Sequence, residues 1–174
     1  MKPHKHFIFF LTLFFSLTLF SQDVELIPKV SKYLESNGTM KQYKEAYREL
    51  LNLMERQFPK SNRNSNGWLY LERNETKALA EIRDMIIPIY IKHFDEADVD
   101  DMQAFYTSDA GIQLVKDRTK LTAAQQESVN DFYDSKVGHK IKEKQQLLSV
   151  EIAGVSEYWS KDLYQTAVLL LKEE

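Results

Sequence analysis

Chemistry in this chain would have to come from histidines, carboxylates and hydroxyls, because it contains no cysteine. Disulfides, thiolate metal sites, thiol nucleophiles and lipid attached to a cysteine are thereby excluded. Past residue 21 the only histidines are His93 and His139, and no His-x-x-x-His or Glu-x-x-His spacing joins them. A shared zinc or acid–base pair would need tertiary contact between them. The densest acids are Asp95, Glu96, Asp98, Asp100 and Asp101. As a calcium loop they lack the central glycine and the bidentate glutamate. At a helix start, the same acids are favoured by the helix dipole and by capping. Ser108 and Ser135 lie outside any G-x-S-x-G elbow, and each is placed to cap a helix instead. The residues therefore assign no catalytic, cofactor-binding or metal-ligating group, and no cofactor.

The two serines belong to one stretch that the chain uses twice. Phe105-Tyr106-Thr107-Ser108-Asp109-Ala110-Gly111 and Phe132-Tyr133-Asp134-Ser135-Lys136-Val137-Gly138 both read F-Y-x-S-x-x-G and lie 27 residues apart. Ala97/Ala124 and Leu121/Leu148 keep the register on either side. This is the signature of a duplicated helix-break-helix unit, with repeats over 94–120 and 121–147. Each helix should end just after Phe-Tyr, and the serine should cap the next one, with glycine at its third position. Glycine there costs helix propensity, so its expected purpose is close approach of another backbone or an aromatic ring. Phe105, Tyr106, Ser108 and Gly111, with Phe132, Tyr133, Ser135 and Gly138, form a structural motif that could also serve interaction.

Helical periodicity dominates the rest, with no run of strand alternation. A short opening helix over Asp23 to Ser36 should stop at Asn37-Gly38. Thr39 and Gln42 have capping-box spacing for the next helix, which Pro59 ends. Ser61 to Gly67 is polar and turn-rich, a loop. Trp68 to His93 carries one broad apolar face interrupted by Pro88, where a kink is expected. Phe94 and Val99 staple an Asp95 N-cap, and Thr122 with Gln125 makes a second capping box. From Gly138 the apolar positions Ile141, Leu148, Ile152, Val155, Trp159, Leu163, Thr166 and Leu170 trace a long final helix. Trp68, Tyr70, Tyr158 and Trp159 are the aromatics that could line a binding groove, or cap the ends of the core, since Trp and Tyr favour the wet edges of apolar surfaces.

The N-terminus bears on compartment. Met1 to His6 is basic, Phe7 to Phe20 is an apolar run of 14 residues, and Ser21 is small. That run is short for a span, and the order is that of a signal peptide over 1–21, with an uncleaved anchor as the alternative. Its removal takes the net charge from −3 to −5 and leaves a helical domain over 22–174. The expected address is the periplasm or the exterior of a Gram-negative bacterium, with no membrane span after cleavage. An acidic balance gives no footprint for nucleic acid.

Pro88-Ile89-Tyr90-Ile91-Lys92-His93-Phe94, the acidic helix start and the first F-Y-x-S-x-x-G together resemble the bacterial domain of unknown function 2059. Its members typically carry a signal peptide, are helical, and show P-x-Y-x-x-x-F followed by F-Y-x-S-P-x-G. The resemblance is specific over 86–121 and loose elsewhere. Asp109 and Lys136 stand where the family usually has proline; proline suits a helix's first position, so the departure is mild and supports serine as the N-cap. The family has no established activity, so the resemblance transfers no functional residue.

The expectation is thus a single all-α domain of five to seven helices, built on a tandem repeat of period 27 and closed by a long C-terminal helix. Its expected function is non-catalytic, as a module that binds another envelope protein. The alternative is a carrier of a small apolar ligand, which an enclosed apolar cavity would favour.

Overall fold

A computed structural model describes residues 25–172, and the expected signal peptide, its cleavage at Ser21 and the helix start at Asp23 lie outside them. The described residues form eight α-helices and one 3₁₀ turn. They are α1 (25–36), α2 (Thr39–Gln57), α3 (Ser65–Arg73), α4 (Glu75–His93), α5 (Glu96–Tyr106), α6 (Asp109–Lys116), the 3₁₀ turn Arg118–Lys120, α7 (Ala123–Asp134) and α8 (Lys136–Leu171). The chain is all-α with a long C-terminal helix, as its periodicity requires. None of the described helices is long and apolar enough to cross a membrane.

The helix count exceeds five to seven because the stretch Trp68–His93 is divided. It breaks at Asn74, whose N–H bonds the Leu71 carbonyl at 3.2 Å, and α3 begins as early as Ser65, inside the expected loop. Asn64 makes this possible: its side chain accepts the Ser61 N–H at 2.9 Å and donates to the Pro59 carbonyl at 3.0 Å, closing a tight turn. The division lets one apolar sequence serve two cores. Trp68 and Leu71 join Met54, Ala167 and Leu171 in a small one, while Ala78, Ile82 and Ile86 enter the main one.

The capping box expected at Thr39 and Gln42 does not form. Gly38 is the N-cap, in the left-handed region at φ 84°, and no side chain caps α2. Asn37 Oδ1 takes the Thr39 N–H instead, at 2.9 Å. The left-handed residue turns α1 sharply into α2, a conformation open to glycine at little cost.

α4 runs unbroken through Pro88. Pro88 is exposed while Ile86, Ile87 and Tyr90 are buried, so the backbone bond the proline removes lies on the wet side, where water can serve the freed carbonyl. α8, at 36 residues, is about 54 Å long by helix geometry. It packs against α2, α3, α4, α5 and α7. Its buried positions include Leu148, Trp159 and Leu163 as expected, but then Ala167 and Leu171 in place of Thr166 and Leu170. The apolar stripe continues in steps of four and drifts away from the positions chosen on sequence.

Both tryptophans are core residues. Trp68 and Trp159 are 4% and 5% exposed, and their ring N–H groups bond the Phe58 and Ala78 carbonyls at 3.2 and 3.0 Å. This removes them from the set of binding aromatics, whereas Tyr70 and Tyr158 lie exposed.

Candidate functional site

The two F-Y-x-S-x-x-G stretches meet in space. Ser108 Oγ accepts the Gly111 N–H at 3.2 Å and donates to the Phe105 carbonyl at 2.7 Å. Ser135 repeats both bonds, to Gly138 and Phe132, at 3.2 and 2.6 Å. Each hydroxyl therefore ties the end of one helix to the start of the next, and neither faces a base. The glycines allow this joint. A Cβ on Gly111 would lie 2.1 Å from the Phe105 oxygen, and one on Gly138 would lie 2.3 Å from the Phe132 oxygen.

The phenylalanines of the two units stack face to face, centroids 4.0 Å apart at 4°. Their neighbours in sequence, Tyr106 and Tyr133, pack edge-on against them and line an open cleft of about 510 Å³. One wall is the start of α2, from Asn37 to Glu45. The other is Leu114, Val115, Arg118, Leu121, Gln126 and Val129 from α6, the 3₁₀ turn and α7. Tyr106 packs edge-on against Tyr33 and Phe132, and burial pushes its phenol well above the ordinary range, with the phenols of Tyr33 and Tyr133 adding to the effect. It is therefore neutral, an apolar surface with a hydroxyl edge, at any physiological pH. Tyr133 is 45% exposed at the cleft's mouth. On the rim, Lys41 lies 3.9 Å from Glu45, and Arg118 has no ion-pair partner among the described residues.

The acids and His93 assemble elsewhere, beside an open groove of about 690 Å³ lined by Leu26, Phe94 and the start of α5. Asp95 caps α5 in a reciprocal box with Asp98. Asp98 is buried and is bonded by Lys140, which also lies over the Phe94 ring. Hydrogen bonding from the Asp98 backbone, with Lys140 nearby, holds the Asp95 carboxyl below its usual range. Asp98 in turn raises the Lys140 ammonium above its usual range. Glu96 and Asp100 pair with Lys29 at 2.8 and 2.6 Å.

His93 Nε2 lies 3.0 Å from Glu151, and hydrogen bonds from Lys92 and then His93 hold that carboxyl below its usual range. His139 instead bonds the Ser135 carbonyl. It sits twelve residues before Glu151 on α8, a separation of about 18 Å along the helix. The two histidines thus serve different neighbourhoods. Among the described residues, no group of three His, Cys, Asp or Glu side chains is placed to hold a metal ion. The carboxylates here are partnered by cations and backbone N–H groups, which is what a helix start and its packing require.

Residues 80–130 match the family model described as an uncharacterized protein conserved in bacteria, DUF2059. The resemblance over 86–121 falls inside that match. The matched segment runs from within α4 to late α7. It takes in the His93 and acidic neighbourhood, the first F-Y-x-S-x-x-G and the Leu121–Val129 wall of the cleft. The second motif begins two residues beyond it. No curated protein and no solved structure matches the chain.

Sequence reasoning finds both tyrosines by their repetition. It misses Arg118, Leu121 and Val129 as cleft residues, and the pairing of Lys140 with Asp98. Leu121 carried a signal, because it keeps the repeat register with Leu148. The others depend on how α2 and α8 lie across the repeats, which no local pattern records.

Proposed function

We propose that the protein is an exported, non-catalytic binding module, and that it receives a segment of another envelope protein over Tyr106 and Tyr133. The observation that carries this reading is the cleft itself: a pair of tyrosines from the same position of both repeats, lined also by Arg118, which has no ion-pair partner among the described residues. Tyrosines at a half-wet surface supply contact area at small entropic cost, and arginine binds carboxylates with directional bonds. The expected occupant places an aliphatic or aromatic side chain on the tyrosines and a carboxylate near Arg118. The grooves lined by described residues open to solvent, a form suited to a polypeptide segment more than to a sealed apolar molecule.

The test is photo-crosslinking in the native envelope with the reactive group at Tyr133, using the exposed Lys32 as the control position. A protein adduct specific to Tyr133, and lost on Arg118→Glu, is expected. Equal labelling at both positions, or native mass spectrometry showing a small molecule at near-full occupancy, would overturn the reading. Intact-mass analysis of the same material tests export: the expected chain begins at Gln22, and retention of Phe7 to Phe20 would contradict it.

A further inference from the structure

The outer face of α8 is apolar where a solvent-facing helix would be polar. Leu147, Val150 and Tyr158 are 52%, 68% and 63% exposed. Gly154, between them, has nothing within 4 Å of where a Cβ would stand. Adding Glu143, Lys161 and Gln165 gives a row whose intervals read 4, 3, 4, 4, 3, 4. At about 100° per residue these positions fall within an arc of roughly 80°, turned away from the buried Leu148, Trp159 and Leu163. Such a row is the seam of a helix pair. Its intervals are the same in both directions, with Gly154 at the centre.

That palindrome fits one occupant, a second copy of α8 running antiparallel. We propose that the protein forms a twofold dimer through this face, with the axis at Gly154. The twofold sets Val150 against Tyr158 of the second copy, and does so twice, as an isologous contact requires. Glycine at the crossing lets the two backbones approach where the rings and methyls flank them. Leu147 faces Lys161 of the second copy, whose methylene stem covers it while the ammonium reaches on by one turn to Glu143 of that same facing helix. Lys161 has no ion-pair partner within its own chain among the described residues. Glu143 pairs with the adjacent Lys144, at 2.7 Å, with Lys140 nearby, and a carboxylate can accept a further cation. The apolar centre and the charges at both ends are complementary under the twofold, and this favours a like copy over an unrelated partner. One helix pair lies at the small end of stable interfaces, so a dissociation constant on the order of micromolar is expected.

The absence of cysteine makes the geometry directly testable. Under oxidising conditions Gly154→Cys should cross-link to itself rapidly. Glu143→Cys should not, since two copies of that position lie some 30 Å apart along the pair. An equimolar mixture of Glu143→Cys and Gln165→Cys should cross-link again. Sedimentation equilibrium should show a doubling of mass with concentration. Lys161→Glu should weaken association at least tenfold, and adding Glu143→Lys to it should restore it. A protein that stays monomeric to several hundred micromolar would overturn the proposal. So would self-cross-linking of Gly154→Cys no faster than that of Glu143→Cys. These positions are exposed in the monomer, so loss of folding would not confuse the result, and circular dichroism of each variant verifies it.

Discussion

Replacing Gly111 by alanine tests the joint between repeats more sharply than any other single change. The added methyl would stand 2.1 Å from the Phe105 oxygen, 2.6 Å from Tyr106 Cα and 2.9 Å from the Phe105 carbonyl carbon. Carbon–oxygen contacts settle near 3.3–3.6 Å, so the carbonyl must retreat by more than about 1 Å. All three neighbours are backbone, so no rotamer relieves the clash and α5 must shift against α6. The shift pulls on the Phe105–Phe132 stack and on the Ser108 bond to residue 111. Overpacking of this kind costs about 1–3 kcal/mol, and loss of the cap costs about 1 kcal/mol more. Alanine's helix propensity returns about 1 kcal/mol. The net loss is about 1–3 kcal/mol, which for a domain of this size lowers Tm by about 2–12 °C. Gly138→Ala should behave alike, its methyl falling 2.3 and 2.5 Å from the Phe132 and Tyr133 oxygens. Gly154→Ala is the internal control: with open space around it, only propensity acts, and stability should rise by about 0.5–1 kcal/mol. Urea melts at submicromolar concentration, below the dissociation constant expected for the dimer, measure all three. Gly111→Ala melting at or above the parent would show that the helices do not abut there, and the reasoning would fail.

Three further outcomes are expected. Ser108→Ala and Ser135→Ala should each cost about 1 kcal/mol, and Phe105→Ala and Phe132→Ala about 3–5 kcal/mol, in the same melts; near-zero loss for the phenylalanines would place their rings outside the core. Lys140→Met should cost about 1–3 kcal/mol by stranding the buried Asp98 carboxylate, and adding Asp98→Asn should recover most of it. On the acid side, Asp95, Asp117, Glu143 and Glu151 are all held below their ordinary range. They stabilise the fold above the unfolded values, near pH 4, and that contribution disappears as pH falls through the lower folded ones. Tm should therefore decline below about pH 4, with the converse loss only above about pH 10, where Lys29, Lys60 and Lys140, held high, discharge; a Tm that is flat between pH 5 and pH 2 would contradict this.

What could be read from sequence was what neighbours in the chain decide. The Asp95, Ser108, Thr122 and Ser135 caps are bonds across three residues, and the repeat of Phe-Tyr exposed itself by identity. Thr39 had the same local credentials and failed, because Gly38 bent the chain and Asn37 reached the N–H first. The break at Asn74 was hidden for a different reason. The apolar face before and after it is continuous in sequence and divides only because α2 and α8 offer two cores to fill. Trp68 and Trp159 looked suited to a wet edge, yet the carbonyls of Phe58 and Ala78 satisfy their ring N–H groups inside. The cleft was invisible for the most basic reason, since its walls come from segments some eighty residues apart.

α8 has a consequence for timing. It follows in the chain every element that it covers, and Trp159, Leu163, Ala167 and Leu171 fill places in cores whose other members were synthesised long before. Until those residues leave the ribosome, α2, α3 and α4 have an open flank where Met54, Trp68, Ala78 and Ile82 should be covered. Completion of the core should therefore wait until α8 has been synthesised. A chain that must be threaded through a membrane before it folds would gain from that delay, because a domain that closes early cannot pass through a narrow channel. The helix that completes the core thus also works as a clock.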